Sequence, residues 1–495
     1  MKNKILILLC ILTVMISLSA VSAADNQTDS NLKVVEQVDE DVLTDGDVKA
    51  PSEITASNVK GYESFPISIN GKISSNGTPL ADKKINAEVN GSKFEGISDK
   101  DGIFSIPINL TKGSYKVNLI FAGDNQTKNA SATCKVKIKE AVATQIKVGD
   151  KYLNYRQGSE CLFYVTLLKA DGTPVKHQNV TFKIAGKRYN ATTNKNGNAK
   201  IFLKLKKGKY KIKYKFAKNS PYNASSGSYK IKVRSAMGKG NGYWLWPSHM
   251  KQINLKSLAS KGTKHLFLHA EALSVHGKSA VTSFINSAHK NGIKVHLWMN
   301  VFYNGGKWVS PVTKTGKFKT SFMNKKIAQA KSYAKIPGVD GVHFDYIRYG
   351  GTAHKHINAV ESINYFVKKA STAVHKVKSN CIVSAAVMPE PKMMHYYYGQ
   401  DIPTMSRYLD CILPMVYRYN YHKEPRWIHL VTEKFVSQSL GAQIWTGIQS
   451  YSNGGQTILS QSTLVNDARA AIVGGADGVV LFRIGISCNF NFKAI

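Results

Sequence analysis

From residue 243 onwards, short apolar runs alternate regularly with segments in which apolar residues recur at helical spacing. Runs that are apolar on both faces are typical of parallel strands covered by helices, and glycines after the helical segments favour helix termination. Eight strand–helix units over residues 243–495 predict a (β/α)₈ barrel, because most other α/β folds have fewer units. The strand-like runs are GYWLWP, KHLFLHAEA, IKVHLWMNVFY, DGVHFDYIRY, CIVSAAVMPE, ILPMVYRYN, QIWTGIQSY and DGVVLFRIG.

The N-terminal half has a different pattern, in which short alternating runs are separated by turn pairs such as Asn-Gly and Asp-Gly. It also contains an internal repeat. NGTPLADKKINAEVNG from Asn76 corresponds to DGTPVKHQNVTFKIAG from Asp171, at a separation of 95 residues and without a gap. The pattern predicts two all-β sandwiches, residues 51–140 and 141–234, which resemble the bacterial immunoglobulin-like modules of surface adhesins. The predicted fold is therefore multidomain, with two immunoglobulin-like sandwiches followed by an α/β TIM barrel.

Three further segments have compositions of their own. Residues 1–23 combine two early lysines with an apolar run and a small-residue pattern, which is typical of a signal peptide that is removed after export. Residues 24–50 are acidic and contain no aromatic residue, so a disordered lead-in is expected. Residues 235–242, SAMGKGNG, are expected to be a flexible linker. No later stretch is long and apolar enough to cross a membrane, so no transmembrane helix is expected after signal cleavage.

The formal net charge of +37 indicates an anionic partner. Because an exported chain is separated from nucleic acid, we expect an anionic cell-wall polymer and no nucleic acid. The second repeat carries lysines that alternate with apolar residues from Lys204 to Lys218, which predicts a lysine-rich face on one sheet. That face could bind the polymer or be a solvated surface that prevents aggregation. A lysine-rich proteome would also explain the excess of positive charge without any partner. The expected location is secreted or at the cell surface, non-covalently associated with the wall.

The sequence does not predict a metal site. The histidines of three successive strands, His269, His296 and His343, alternate inside apolar runs, and we interpret them as core residues rather than as ligands of a metal-dependent deacetylase or peptidase. We expect no metal and no cofactor. The cysteines have no CxxC spacing, and buried free thiols are the simpler interpretation. The mature chain keeps five of them, an odd number that cannot pair completely: Cys134, Cys161, Cys381, Cys411 and Cys488.

The stretch VDGVHFDYIRYG, residues 339–350, is an apolar run that ends on a carboxylate. Alternation places His343 and Asp345 on one face, which we assign to the barrel interior, and Asp345 lies at the strand end where barrel enzymes carry their chemistry. A buried carboxylate costs desolvation energy unless it is paired or used. Two interpretations stay open: Arg348 is the ion-pair partner of Asp345, or Asp345 is catalytic.

Polar and aromatic residues recur at the same end of the other strands. A ring of such residues is expected to line a sugar-binding cleft, because aromatic faces stack on sugar rings while amides and charges bind hydroxyls. The predicted catalytic carboxylates are Asp345, Glu390 and Glu271. The predicted substrate-binding residues are His269, Trp298, Asn300, Arg348, Tyr417, Tyr419, Gln449 and Arg483.

VDGVHFDYIRYG, ILPMVYRYN and GADGVVLFRIG resemble the glycoside-hydrolase-like barrel families of secreted bacterial and archaeal proteins, over residues 240–487. The resemblance implies that Asp345, which matches the aspartate of the fourth-strand motif, is the catalytic carboxylate. The domain order is similar to that of surface proteins of methanogenic archaea. The chain departs from the chitinase pattern DGxDxDxE at His343 and Ile347, and Gln449 stands where other barrels have a nucleophilic glutamate. The partner of Asp345 is therefore expected on strand five or strand two.

Glycosidic bond cleavage normally uses two carboxyl groups. We therefore expect a glycoside hydrolase that acts on an envelope or extracellular polysaccharide, with Asp345 as nucleophile or base and Glu390 as acid, for which Glu271 is the substitute. The alternative is a carbohydrate-binding adhesin whose barrel keeps the cleft without the chemistry. The geometry of the carboxyl groups distinguishes these two functions.

Overall fold

The computed structural model describes residues 49–150 and 155–495. The predicted signal peptide, and all but the last two residues of the predicted lead-in, lie outside the described residues. The chain forms two compact units. The first comprises the described residues up to Ser57 together with Asn70–Ile106 and Val117–Cys134, and the second comprises Asn58–Ile69, Pro107–Lys116 and Lys135–Ile495.

The N-terminal region is all-β, as the alternating pattern predicts. In the first unit, β3 pairs antiparallel with β1, and β5 pairs antiparallel with β6 and β8. Phe104 and Ile106 of β7 are buried while their neighbours are exposed, which is the two-residue period of a half-buried strand. The strands of this region are β1 (Glu53–Ala56), β2 (Val59–Tyr62), β3 (Ile67–Ser75), β4 (Thr78–Pro79), β5 (Lys84–Val89), β6 (Ser92–Ile97), β7 (Ile103–Ile108), β8 (Gly113–Phe121) and β9 (Ala130–Lys139).

The second repeat forms two sheets in the second unit. One has the strand order β10-β11-β14 and the other the order β13-β12-β15-β16. A core of apolar side chains is buried here, including Phe163 and Phe182, which meet edge to face at 6.1 Å between ring centroids. The strands are β10 (Thr144–Val148), β11 (Cys161–Lys169), β12 (Asn179–Ile184), β13 (Lys187–Thr192), β14 (Asn198–Leu203), β15 (Gly208–Phe216) and β16 (Ser225–Val233). We call residues 144–233 the second sandwich.

The C-terminal part is a closed barrel of parallel strands in the order β17-β18-β19-β22-β23-β24-β25-β28, which confirms the predicted eight-stranded barrel. Two short hairpins, β20–β21 and β26–β27, follow strands β19 and β25. The strands are β17 (Gly242–Leu245), β18 (His265–His269), β19 (Lys294–Asn300), β20 (Tyr303–Asn304), β21 (Lys307–Trp308), β22 (Gly341–Asp345), β23 (Ile382–Val387), β24 (Cys411–Val416), β25 (Gln443–Gln449), β26 (Tyr451–Ser452), β27 (Thr457–Ile458) and β28 (Gly478–Phe482).

Helices connect the barrel strands and bury their apolar faces against them. Some carry capping side chains at their first turn, as where Ser460 Oγ accepts a hydrogen bond from the Thr463 N–H. The helices are α1 (Leu255–Ser260), α2 (Ala272–Val275), α3 (Gly277–Lys290), α4 (Thr320–Ala334), α5 (Ala359–Val377), α6 (Ile402–Met405), α7 (Pro425–Gln438) and α8 (Gln461–Val473), with a π-helical turn at Met394–Tyr398. No helix of the described residues is long and apolar enough to cross a membrane.

The barrel interior is filled by large side chains and by the buried histidines His265, His296 and His343. His265 Nδ1 lies 2.9 Å from His296 Nε2. Trp244 Nε1 donates to His343 Nε2 at 3.2 Å, and His343 Nδ1 lies 2.9 Å from Ser384 Oγ. Burial lowers the pKa of all three histidines, to about 3 for His343. Neutral, hydrogen-bonded imidazoles of this kind fit the interpretation of His296 and His343 as core residues.

The second sandwich and the barrel share a buried ionic cluster around Asp410, which precedes β24 and is 1% exposed. Arg156 Nε and Arg234 Nη2 both donate to Asp410 Oδ1, at 2.5 and 2.7 Å. His375 Nε2 lies 3.0 Å from Asp410 Oδ2. Burial would raise the pKa of Asp410, but the two arginines and His375 hold it well below its usual value. The cluster therefore joins the two domains by charge-assisted hydrogen bonds.

The residues predicted to be a flexible linker are packed against the barrel. Met237 and Asn241 are buried, and Asn241 Oδ1 accepts a hydrogen bond from the Val479 N–H at 3.2 Å. A Cβ atom at Gly240 would lie 2.1 Å from the ring of Trp445. This glycine therefore permits close packing, which the composition of the segment does not distinguish from flexibility. The five cysteines of the described residues are free thiols, all buried except the partly exposed Cys488.

Candidate active site

Asp345 ends β22 at the carboxyl end of the barrel, in register with Asn300 of β19. Its Oδ1 accepts a hydrogen bond from the backbone N–H of Tyr346 at 2.6 Å, and its Oδ2 accepts one from Trp298 Nε1 at 3.1 Å. Tyr346 has φ of 49°, a left-handed conformation that is uncommon for a bulky residue and typical of functional sites. The carboxylate is thus oriented through both of its oxygens.

The pKa of Asp345 is set by opposing effects. Burial raises the pKa, while the Tyr346 N–H, the charge of Arg348 and the Trp298 N–H act in the opposite direction. The salt bridges of 4.0 Å or less among the described residues do not include a pair between Arg348 and Asp345. Arg348 therefore acts on Asp345 through space, and not as the direct ion-pair partner that one interpretation of the sequence expected.

Arg348 is surrounded by aromatic rings. Its guanidinium carbon lies 4.7 Å from the ring centroid of Trp308, 5.5 Å from that of Tyr398 and 5.6 Å from that of Tyr346. Its Nε is buried and finds no hydrogen-bond partner within the described part of the chain. Burial lowers the pKa of Arg348, and the charges of Asp345 and Glu390 raise it. The arginine thus lies within electrostatic reach of both carboxylates.

Glu390 follows β23, the strand beside β22. Its Oε1 accepts hydrogen bonds from the hydroxyls of Tyr421, at 2.6 Å, and Tyr398, at 3.1 Å. Its Oε2 is buried and has no hydrogen-bond partner among the residues that the structure describes. Burial and the neighbouring carboxylate raise the pKa of Tyr398 to about 12, so this phenol stays a donor at neutral pH. One oxygen of Glu390 is therefore held in place, and the other is buried without a partner among the described residues.

Aromatic rings surround the same end of the barrel. The ring centroids of Trp246, His269 and Trp298 are 4.6–4.9 Å apart. Tyr417 packs against Phe482 at 5.5 Å, and burial and the charge of Asp345 raise its pKa. The structure therefore places the predicted residues His269, Trp298 and Tyr417 around the end of the barrel that carries Asp345.

Glu271 makes its contact with His269 rather than with either of the other two carboxylates. Its side chain is 58% exposed and its Oε2 lies 3.5 Å from His269 Nδ1. None of the contacts between described residues connects it to Asp345, Arg348 or Glu390. Asn300, by contrast, is adjacent to Asp345, and its Oδ1 is buried without a hydrogen-bond partner in the described chain. Asn300 is therefore the predicted substrate-binding residue that lies beside Asp345.

Three other predicted residues contact their own neighbours. Both polar atoms of the Gln449 side chain bond to Asn420, with Nε2 donating to Asn420 Oδ1 at 2.8 Å and Oε1 accepting from the Asn420 N–H at 3.2 Å. The Tyr419 hydroxyl accepts a hydrogen bond from Arg418. Arg483 Nη1 donates to the Ile484 carbonyl oxygen at 3.2 Å. Gln449 and Tyr419 therefore organise the loop after β24.

Several residues of the site were not predicted from the sequence. Trp308 lies on β21, is 41% exposed, and its ring meets Tyr303 and Tyr346 at 5.3 and 5.6 Å. Tyr398 and Tyr421 hold Glu390 from a π-helical turn and from the loop after β24. The available signal was the aromatic content of these connecting segments, as in MMHYYYGQ. Within the described residues, no group of three or more His, Cys, Asp or Glu side chains could hold a metal ion.

Residues 274–446 match a protein-family model described as "Putative glycosyl hydrolase domain". This range contains Asp345, Arg348 and Glu390. No curated protein matches the chain. The chain thus has an N-terminal all-β region followed by a barrel that contains a glycosyl-hydrolase-like domain.

Solved structures are similar at low sequence identity. The glycoside hydrolase domain of PgaB (BpsB) from Bordetella bronchiseptica is 10% identical, with 50% of this chain and 95% of that one covered and a TM-score of 0.42. A family GH18 chitinase from Cycas revoluta is 10% identical, with the same coverages and a TM-score of 0.38. Fibronectin(III)-like modules of Clostridium thermocellum CbhA are 16% identical, cover 37% of this chain and 95% of their own, and have a TM-score of 0.25.

Proposed function

We propose that this protein is a secreted or cell-surface glycoside hydrolase that cleaves an envelope or extracellular polysaccharide by a two-carboxylate mechanism. The observation that carries the proposal is the arrangement of Asp345 and Glu390. Asp345 ends β22 and Glu390 follows the adjacent strand β23. Each carboxylate is held by hydrogen-bond donors, and both act electrostatically on Arg348. A carboxylate pair at the carboxyl end of a barrel is what glycosidic bond cleavage requires.

In the proposed mechanism Glu390 is the general acid. Its Oε1 accepts hydrogen bonds from two tyrosine hydroxyls, so Oε2 is the oxygen from which a proton passes to the glycosidic oxygen as the bond between that oxygen and the anomeric carbon breaks. The Oε2 atom is buried and has no partner within the described residues, so no protein contact competes for it. The leaving sugar departs as a neutral alcohol.

Asp345 is the nucleophile or base. The donors at both of its oxygens favour the ionised form that either role requires. In an inverting reaction it takes a proton from the water whose oxygen bonds to the anomeric carbon. In a retaining reaction it bonds to that carbon itself, and water, deprotonated by Glu390, then releases the sugar. In both cases one water is added for each bond broken.

Sugar binding is assigned to the aromatic and amide groups around the pair. Trp308 is the exposed ring beside Arg348, and such a ring stacks on the C–H face of a sugar. The barrel end is lined by His269, Trp298 and Tyr417. Asn300 Oδ1 is assigned as the acceptor of a hydrogen bond from a sugar hydroxyl. The cationic surface of the chain fits association with an anionic wall polymer outside the cell.

The proposal is tested by incubating the purified full chain with envelope polysaccharides and measuring new reducing ends. We expect Asp345→Asn and Glu390→Gln each to lower the rate by about 10²–10⁴-fold, because each removes a proton-transfer or nucleophilic group. Glu433→Gln, which makes the same chemical change on the exposed face of α7, is the matched control and should retain the full rate.

A second measurement separates an enzyme from a binding protein. If the barrel belongs to a carbohydrate-binding adhesin, the polysaccharides that bind are not cleaved, and Asp345→Asn changes nothing. Loss of cleavage in Glu271→Gln with full activity in Glu390→Gln would assign the acid to Glu271 instead.

A further inference from the structure

The second sandwich carries a groove that is separate from the proposed active site. Its volume is about 620 Å³, and it lies on the outer face of the sheet β13-β12-β15-β16. Five cations line it, and all are exposed. The salt bridges between described residues include none of the five. The lining cations are Lys183, Arg188, Lys211, Lys213 and Lys215.

The strand register places like charges directly opposite one another. Lys183 of β12 lies opposite Arg188 of β13 on one side and opposite Lys213 of β15 on the other. Lys211 lies opposite Lys230 of β16. Like charges in directly opposed positions destabilise a sheet. An anion bound in the groove relieves this repulsion.

The first repeat shows that the fold does not need these cations. Glu88 lies 95 positions before Lys183, and it forms a salt bridge of 2.8 Å with Lys93, which lies 95 positions before Arg188. Asn118, opposite Glu88, lies 95 positions before Lys213. The second repeat thus has cations where the first repeat has an ion pair and an amide. Residues 155–234 contain only two acidic side chains, Glu160 and Asp171.

We propose that this groove binds a linear anionic polysaccharide, which holds the neighbouring barrel on its polymer. The lysines of β15 occupy every second position from Lys209 to Lys215, so the cationic row extends over about 20 Å. Lysines on flexible stems bind carboxylate or phosphate groups at varied positions, which suits a polymer with regularly spaced charges. The binding of the polymer goes beyond the proposed hydrolase activity, and only its benefit to the barrel rests on that activity.

The groove chemistry favours a polysaccharide over a nucleic acid. Proteins that bind single strands stack the bases on exposed aromatic rings. The only aromatic residue that lines the groove, Tyr214, is 6% exposed and faces the core of the sandwich. Ser226 and Ser228 of β16 complete the lining and offer hydroxyls to sugar hydroxyl groups. The surface therefore binds charge and hydroxyls without a platform for bases.

The test uses the full chain carrying Asp345→Asn, so that the polymer is not cut. Binding to polygalacturonate, to neutral dextran and to single-stranded oligothymidylate is measured over a salt series. We expect tight, salt-sensitive binding to polygalacturonate only. The groove variant, with Lys183→Gln, Arg188→Gln, Lys211→Gln and Lys213→Gln, should bind at least about tenfold more weakly and with a smaller salt dependence.

The matched control removes the same charge from the exposed barrel helices, through Lys256→Gln, Lys278→Gln, Lys290→Gln and Lys376→Gln. It should bind polygalacturonate like the parent. An equal loss in both variants would overturn the proposal in favour of net charge, and equal or tighter binding of oligothymidylate would overturn the choice of ligand. In a chain with Asp345 intact, the groove variant should cleave short oligosaccharides at the parent rate.

A single substitution gives an independent check. Lys183→Glu restores the acid that the first repeat has at this position, opposite Arg188. It should weaken polygalacturonate binding and raise the melting temperature of the sandwich in the absence of polymer. Lower stability together with unchanged binding would overturn the proposal.

Discussion

Arg156 Nε donates to Asp410 Oδ1 at 2.5 Å, across 254 positions of sequence. Arg234 donates to the same oxygen, and all three side chains are buried. A buried charge is tolerated when it is paired and hydrogen-bonded, and loss of a partner leaves a desolvated charge behind. This contact therefore couples the stability of the barrel to the second sandwich.

We expect Arg156→Gln combined with Arg234→Gln to lower the unfolding free energy of the barrel by about 3–5 kcal/mol, because Asp410 loses both arginines. Urea unfolding followed by tryptophan fluorescence reports on the barrel alone, since all six tryptophans lie between Trp244 and Trp445. Arg188→Gln with Arg426→Gln, both exposed, is the control and should change stability by about 0.5 kcal/mol or less. If the urea midpoint of the double variant coincides with that of the parent, the coupling between the two domains is contradicted.

The same cluster predicts that residues 238–495 alone fold into a soluble barrel that is less stable than in the full chain.

Asp345→Asn should leave the stability of the barrel nearly unchanged. The substitution is close to isosteric, and Arg348 is held by aromatic rings rather than by a salt bridge to Asp345. If Asp345 were the structural partner of Arg348, the substitution would cost about 3–5 kcal/mol. The melting temperature of the variant, compared with that of Glu433→Gln, distinguishes the two outcomes.

The acid limb of the pH–rate profile should report the ionisation of Asp345. Burial raises the pKa of this carboxyl, so activity should fall with decreasing pH at a higher pH than for an exposed aspartate. The charge of Arg348 lowers the same pKa, so Arg348→Gln should move the acid limb of kcat/KM to higher pH. Arg348→Lys keeps the charge and should leave the limb close to its original position. If the acid limb of kcat/KM does not move in Arg348→Gln, the assignment of Asp345 as nucleophile or base is contradicted.

The barrel should lose stability as the pH falls, in part because of His343. Burial lowers the pKa of His343 to about 3, below the usual value of 6.5, so the unfolded chain binds a proton over this range while the folded chain does not. Protonation of His343 in the unfolded chain therefore lowers the unfolding free energy by about 1.4 kcal/mol per pH unit as the pH falls from 6 to 4. Burial raises the pKa of Asp467 to about 6, so the folded chain takes up this proton before the unfolded chain does. Asp467 therefore raises the unfolding free energy as the pH falls through this range.

Comparison of the parent with His343→Asn isolates this one group. Below pH 6 the parent should lose its stability advantage over the variant by about 1.4 kcal/mol per pH unit, measured by urea unfolding at several pH values. Parallel stability curves would mean that His343 is protonated in the folded barrel.

The eight strands and the place of Asp345 could be predicted because both depend on local pattern. Alternation along a strand determines which side chains share a face, so it predicted that His343 and Asp345 lie on one face. Each contacts a tryptophan of the buried core, His343 with Trp244 and Asp345 with Trp298. The alternation from Lys204 to Lys218 likewise predicted a lysine-rich face on one sheet, and the lysines of β15 at positions 209, 211, 213 and 215 are all exposed.

Contacts made by loops could not be read from this pattern. Tyr398 and Tyr421 hold Glu390 from two different connections, and Arg348 lies against Trp308 rather than Asp345. The conformation of such connections follows from packing between segments distant in sequence, which no periodicity records. The sequence by itself therefore determined the strands, their inward faces and the carboxylate at the end of β22. Only the tertiary structure decided which donors hold each carboxylate and that Arg156 and Arg234 meet at Asp410, because these contacts depend on the three-dimensional packing of remote segments.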